Sequence, residues 1–262
     1  MRCAVVGHVE WVEFAEVDHV PPAGEIAHTK ELWSGPAGGG SVMAAQLVKL
    51  AGACDFFTGL GDDGLGHASV DGLEALGITL HVEWFEPTTR RALVLVDAQG
   101  ERTIITIGEK LRPTGPLPLE GYDAVFFVSG EASALRAARA ARFVAATPRE
   151  LPWLLEAGVH LDLLVGSARD PGERYDGGLD VALVVRTEGA RGGTADGRRF
   201  EAQPLPGPVV DTYGAGDSFS AGLCFALARG DDPDEALALA GRCGAAVVTG
   251  RGPYTAQYAL PH

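Results

Sequence analysis

The chain has 262 residues, and its 35 acids against 21 bases give a net charge of −14, a sign that repels a nucleic-acid backbone. With 46% hydrophobic and 21% charged residues it has the profile of a soluble globular protein, and no run approaches the ~20 apolar residues of a membrane span. Cys3, Cys54, Cys224 and Cys243 show no C-x-x-C spacing, which leaves zinc and redox motifs unsupported and fits a reducing, cytoplasmic location.

In chain order, residues 2–6 read as a short buried strand, whose apolar run stops at Gly7 and is too short for a signal peptide. Over 9–33, Val9, Trp11, Val12, Phe14 and Val17, then Ile26, Leu32 and Trp33, flank Pro21-Pro22 and Gly24; this predicts strands around a turn. Gly38-Gly39-Gly40 opens a helix over 41–51, followed by a strand at 54–58 and a helix at 64–76. The β-rich runs 78–85, 91–96 and 103–107 have no helices between them, so they are predicted to be antiparallel strands added to the alternating plan. Alternation then resumes, with strands at 123–128, 142–146, 162–165 and 181–185 and helices at 131–141 and 149–157. A hairpin over 186–202 and helices near 215–229 and 233–248 complete the chain. Alternating β and α predict one α/β domain over 1–262, a mostly parallel sheet covered by helices on both faces.

The segment Val209-Val210-Asp211-Thr212-Tyr213-Gly214-Ala215-Gly216-Asp217-Ser218-Phe219 carries the chemistry. Small residues at 214–216 let backbone amides approach an anion at the positive end of the next helix. Asp217 falls in that helix's first turn, where a lone aspartate is ordinarily a cap or dipole partner. A carboxylate beside an anion cradle is also what phosphoryl transfer to an alcohol requires.

This segment resembles the D-T-x-G-A-G-D-x-F signature of the PfkB, or ribokinase-like, carbohydrate kinases. The resemblance implies that Asp217 is the catalytic base and that Gly214, Ala215 and Gly216 form the anion hole. Gly38, Gly39 and Gly40 match the family's substrate-side glycine motif, and Gly59–Gly66 is similar to its G-x-D-x-x-G segment. Thr187-Glu188-Gly189-Ala190-Arg191-Gly192-Gly193 looks like the nucleotide loop, so Thr187, Gly189 and Gly192 would face ATP. Ala245–Gly252 would border adenine and, with Asp211, a monovalent cation such as K⁺. ATP, Mg²⁺ and a small alcohol acceptor are the implied ligands.

Other positions depart from the family pattern. Glu10 and Val12 stand where ribokinases carry an Asn and an Asp for sugar hydroxyls, and Met43 stands at the place of a third such residue. Val12 and Met43 cannot hydrogen-bond a hydroxyl, so ribose is not the expected acceptor, and Glu10 points to another polyol or a base-bearing substrate. The N-x-x-E magnesium motif aligns with Ser167-Ala168-Arg169-Asp170, with Glu173 one turn further on and Arg169 available to pair with Asp170. Only ten residues separate Asp170 from Val181, including Pro171, Gly172, Gly177 and Gly178, which predicts an irregular connection without a helix.

Two other readings compete with the kinase. The substituted sugar and metal positions fit a ligand-binding relative acting as a sensor, against which stands the retained Asp217. Gly59-Leu60-Gly61-Asp62-Asp63-Gly64 satisfies G-x-G-x-x-G, but two carboxylates inside the loop oppose a dinucleotide pyrophosphate, and a capped turn is the simpler reading. No Walker motif is present, and the seven histidines show no metal spacing. The 9–33 and 78–107 strands fall where the resemblance implies an antiparallel lid. Trp11, Phe14, Trp33 and Trp84 are too many there for a solvated flap, so some should cover the pocket or meet a second subunit in a homodimer through the lid.

Overall fold

The computed structural model describes residues 1–261. In chain order the elements are β1 (Cys3–His8), β2 (Glu10–Glu16), β3 (Glu31–Ala37), α1 (Gly39–Ala51), β4 (Cys54–Gly61), α2 (Gly64–Glu74) and β5 (Ile78–Phe85). There follow β6 (Arg91–Val96), β7 (Arg102–Ile107), β8 (Ala124–Phe127), α3 (Ala132–Ala138), β9 (Phe143–Ala146) and α4 (Leu151–Ala157). The chain closes with β10 (Leu163–Ser167), β11 (Val184–Thr187), β12 (Gly193–Ala195), β13 (Arg198–Phe200), α5 (Ala215–Arg229) and α6 (Pro233–Val247).

Nine strands form one sheet in the order β13-β12-β11-β10-β9-β8-β1-β4-β5, parallel from β11 through β5 and antiparallel at the β12–β13 hairpin. Every residue of β1 is buried, as expected of a strand covered on both faces. Its side chains divide by the period of two: Cys3 and Val5 pack with α1, α5 and α6, while Ala4 and Val6 pack with α3 and α4. The four cysteines are buried free thiols, and among the described residues no helix is long and apolar enough to cross a membrane.

A separate four-stranded sheet, ordered β3-β2-β6-β7, is the lid. Its outer pairs are antiparallel and its central β2–β6 pair is parallel. The lid therefore corrects the sequence reading at two points: its central pair is parallel, and one predicted strand lies outside it. Ile78–Phe85 leaves it and pairs in parallel with β4 at the edge of the large sheet. The preceding helix α2 supplies the crossover, and the turn after Phe85 carries the chain from one sheet to the other rather than closing a hairpin. Trp84 goes with β5 and lies against His67. Phe14 is buried, stacked on Trp33 and edge-on to Tyr213, so these aromatics cover the lid's inner face. Between Asp170 and Val181 the connection has a single 3₁₀ turn, Pro171–Glu173, and no α-helix.

Candidate active site

The strand order reverses at β1, with β4 on one side and β8 on the other; in open α/β sheets the crevice beyond the carboxyl ends at such a point takes the ligand. The starts of α1 and α5 meet there. Gly38, at φ +96°, donates its N–H to Tyr213 Oη at 3.1 Å. A Cβ on Gly39 would lie 2.9 Å from Asp217 Oδ1, and one on Gly40 would lie 2.9 Å from the His8 carbonyl oxygen. The glycine motif is thus what lets α1 begin against both β1 and Asp217.

The 211–217 turn brings most of its predicted residues together. Asp211 is buried; its carboxylate accepts N–H bonds from Tyr213 at 2.8 Å and Gly252 at 3.1 Å, tying the turn to the loop after α6. Gly214 caps α5 at φ +83° without a side-chain bond. Among the described residues, the amides of Gly214, Gly216 and Asp217 find no acceptor, and that of Ala215 makes only a 3.4 Å bond to Thr212 O. These free donors at a helix N-terminus suit an anion.

Asp217 accepts no hydrogen bond from the described residues, unlike Asp63, which caps α2 by accepting from Gly66 N at 2.8 Å. Desolvation, helped by the negative charge of Glu173, pushes the Asp217 carboxyl up to about 6, against the pull of Arg102 and Arg149. An uncapped, desolvated carboxylate with a raised proton affinity is poised to act as a base.

Ser167 and Thr187 are register partners at the carboxyl ends of β10 and β11. Glu173 Oε2 accepts the Ser167 N–H at 2.6 Å, and Asp170 Oδ1 accepts that of Gly172 at 2.8 Å. The cation pairing with Asp170 is not its neighbour Arg169 but Arg149, which also binds Glu173 at 2.9 Å. Gly189 and Gly192 flank a 3₁₀ turn between β11 and β12. Ala245 lies on α6, where a Cβ on the adjacent Gly244 would lie 3.1 Å from the Ala215 carbonyl oxygen. The positions predicted to face the nucleotide thus fall at the ends of β10 and β11, in the turn after β11 and on α6.

On the other side of Asp217, Glu10 is buried and bound to Arg90 Nε at 2.9 Å. Sequence reasoning missed its surroundings. His8 sits 3.9 Å from Glu10, and buried Glu150 binds Lys110 Nζ at 2.8 Å, with Arg112 Nη1 at 3.9 Å. No spacing rule unites 8, 90, 110, 112 and 150; the sheet order and the lid do. The Gly59–Gly64 loop is a packed turn: Asp63 accepts from Thr89 N at 2.8 Å, and a Cβ on Gly61 would lie 2.4 Å from that nitrogen.

A parallel sheet with this switch point, a lid over it and a carboxylate beside free helix amides defines a small-molecule kinase. The chain belongs to the pfkB family of carbohydrate kinases, whose profile matches residues 1–147 and 176–259. It is 26% identical over 275 residues to a fructokinase of Vibrio alginolyticus, covering 84% of this chain and 88% of that one. It is 27% identical over 275 residues to an ATP-dependent ribose-1-phosphate kinase of Halopiger xanaduensis, covering 94% and 91%. Its fold superposes on ribokinase from Cryptococcus neoformans in complex with ADP at a TM-score of 0.78, with 22% identity over 99% of this chain and 97% of the other. The stretch that the profile leaves unmatched, 148–175, carries Arg149, Glu150, Ser167, Asp170 and Glu173.

Proposed function

We propose that the protein transfers the γ-phosphoryl of ATP to a hydroxyl of a small sugar, polyol or nucleoside, with Asp217 as general base. The observation that carries this reading is the Asp217 carboxylate, raised to about 6 and set beside the free amides at the start of α5. The acceptor hydroxyl gives its proton to Asp217 as its oxygen bonds to phosphorus and the bond to the ADP oxygen breaks. The 214–216 amides hold the charge on the transferred group, and the lid keeps out water that would hydrolyse ATP. ADP release with ATP and Mg²⁺ across sugars, polyols and nucleosides tests the reading; a sensor with the same pocket binds ligand and releases no ADP. An ATP-consuming role also fits the cytoplasm.

Mg²⁺ keeps most of its waters and is usually held by one or two carboxylates plus the substrate's phosphates. Glu173 and Asp170 fit that mode, while among the described residues no cluster of three ligating side chains forms a protein cage. Glu173, with Asp170 and Ser167 beside it, would hold the ion through water, and the ion would neutralise phosphate charge. Of the two carboxylates, Glu173 is the one whose charge bears on Asp217. Glu173→Gln should therefore raise the Mg²⁺ concentration for half-maximal rate several-fold and Asp170→Ala by less; equal Mg²⁺ curves for wild type and both variants would remove the assignment. Asp211, its oxygens already fixed by two amides, is the position for a K⁺ ion.

The homodimer through the lid belongs to the same reading, with the edge strand β7 as its surface. Ile104, Ile105 and Ile107 on the lid's edge strand β7 are 42%, 52% and 48% exposed, an apolar edge that single chains seldom leave uncovered. Light scattering at micromolar concentration should give a dimer and Ile105→Glu a monomer. A wild-type monomer would end this part of the proposal.

A further inference from the structure

The chain is acidic overall, yet Lys110, Arg90, Arg149 and Arg112 all bear on buried His8 at the end of β1. Arg90 precedes β6, and Lys110 and Arg112 follow β7, so all three come from the chain that enters and leaves the β6–β7 pair of the lid. A Cβ on Gly59 would lie 2.9 Å from Arg112 N, which places this segment directly over the carboxyl end of β4. Two buried carboxylates answer the three cations: Glu10 takes Arg90, and Glu150 takes Lys110 at 2.8 Å. Arg112 reaches Glu150 only at 3.9 Å, and its Nε, like that of Arg90, is buried without a hydrogen-bond partner. Three cations thus share two carboxylates.

A second observation points to the same place. His8, 8% exposed, has a buried Nδ1 with no partner. Burial together with Lys110, Arg90, Arg149 and Arg112 holds its imidazole well below its ordinary range, so the ring is neutral. Native interiors leave few such polar atoms unmatched, and those that remain ask for a bound group. A neutral hydroxyl would satisfy His8 but not the surplus charge, whereas an anion answers both the charge and the free guanidinium N–H.

We propose that the alcohol phosphorylated here already carries an anionic group, a phosphate ester or a carboxylate, seated on Arg112 and Lys110 where the lid meets the carboxyl end of β4. The inference rests on the kinase reading for its acceptor hydroxyl, and its test is a binding measurement that needs no turnover. Calorimetry without ATP compares pentose and hexose phosphates, the corresponding aldonates and their neutral parent sugars. At least one anionic compound should bind about tenfold or more tightly than its neutral parent, as a charge-assisted hydrogen bond provides. The phosphate and aldonate arms identify which anion is used. Arg112→Gln should abolish that preference and Arg112→Lys should keep part of it, with ADP affinity and melting temperature unchanged in both. Equal binding of neutral parents, no binding of any anionic compound at millimolar concentration, or a preference that survives in Arg112→Gln overturns the proposal. Binding of an anion with no ADP release would instead overturn the kinase reading and leave the anion site standing. Turnover of a neutral sugar unaffected by Arg112→Gln would do the reverse.

Discussion

Asp217→Asn should lower turnover by ~10²–10⁴, the usual loss when a general base is removed, while ADP still binds and the fold holds. Asn matches the side chain in size, and no hydrogen bond from the described residues is lost, because the carboxylate accepts none. In the wild type, kcat/KM should fall as the pH drops through about 6, where Asp217 takes up its proton. The variant's residual rate should lack that limb. Stability gives an independent check. A carboxyl whose folded pKa is raised from 3.8 to about 6 binds its proton more tightly when folded. Its stabilising contribution is therefore fully present below 3.8 and lost as the pH climbs to about 6. Asn carries no such charge, so Asp217→Asn should melt higher than wild type at pH 8, with the gap closing toward pH 4. A helix cap would behave differently: Asp and Asn cap about equally well at neutral pH, and the rate would not change. A capping Asp, its pKa lowered as that of Asp63 is, would lose stability toward acid relative to Asn rather than gain it. Near-wild-type phosphorylation by Asp217→Asn would falsify the mechanism.

What the sequence disclosed and what it withheld follow from how local each feature is. The 211–217 turn was legible because its residues are contiguous: Gly214 supplies the left-handed cap and Gly216 leaves open space, features a reader can take from spacing alone. The same holds for the helices at 41–51, 215–229 and 233–248, each with a glycine or proline signal near an end and a long apolar pattern between. Ile78–Phe85 was misplaced for the opposite reason. A β-rich run followed by a short turn looks the same whether the next strand pairs with it or belongs to another sheet, and only the partner, β4, decides. The acceptor side was hidden more deeply. Glu10 and Arg90 lie 80 positions apart and Lys110 and Glu150 lie 40 apart, and they meet because the lid folds back over the carboxyl ends of β1, β4 and β9. Arg169 shows the limit from the other side: it is Asp170's neighbour in the chain, yet Arg149, at the end of another strand, makes the ion pair.

Gly216→Val should impair phosphoryl transfer through the cradle while leaving the base intact. Gly216 is exposed, and a Cβ built there meets no atom within 4 Å. The fold therefore has room for the side chain, and its helical position tolerates Val at little cost in propensity. The open space beside the Gly216 and Asp217 amides is, however, where the proposed mechanism seats the transferred phosphoryl. A branched side chain there keeps the phosphate oxygens from reaching the donors, and losing one such donor typically costs ~10²–10³ in kcat. The acid limb near pH 6 should persist in the residual activity, since Asp217 keeps its desolvation and its neighbour Glu173. Gly39→Ala should do the converse. Its Cβ would lie 2.9 Å from Asp217 Oδ1 and 3.3 Å from Val128, so it displaces the carboxylate and leaves the amides open, shifting the pH limb while ADP affinity holds. Wild-type turnover by Gly216→Val would mean that the phosphoryl group does not sit at the start of α5, and the amides there would then serve only the helix.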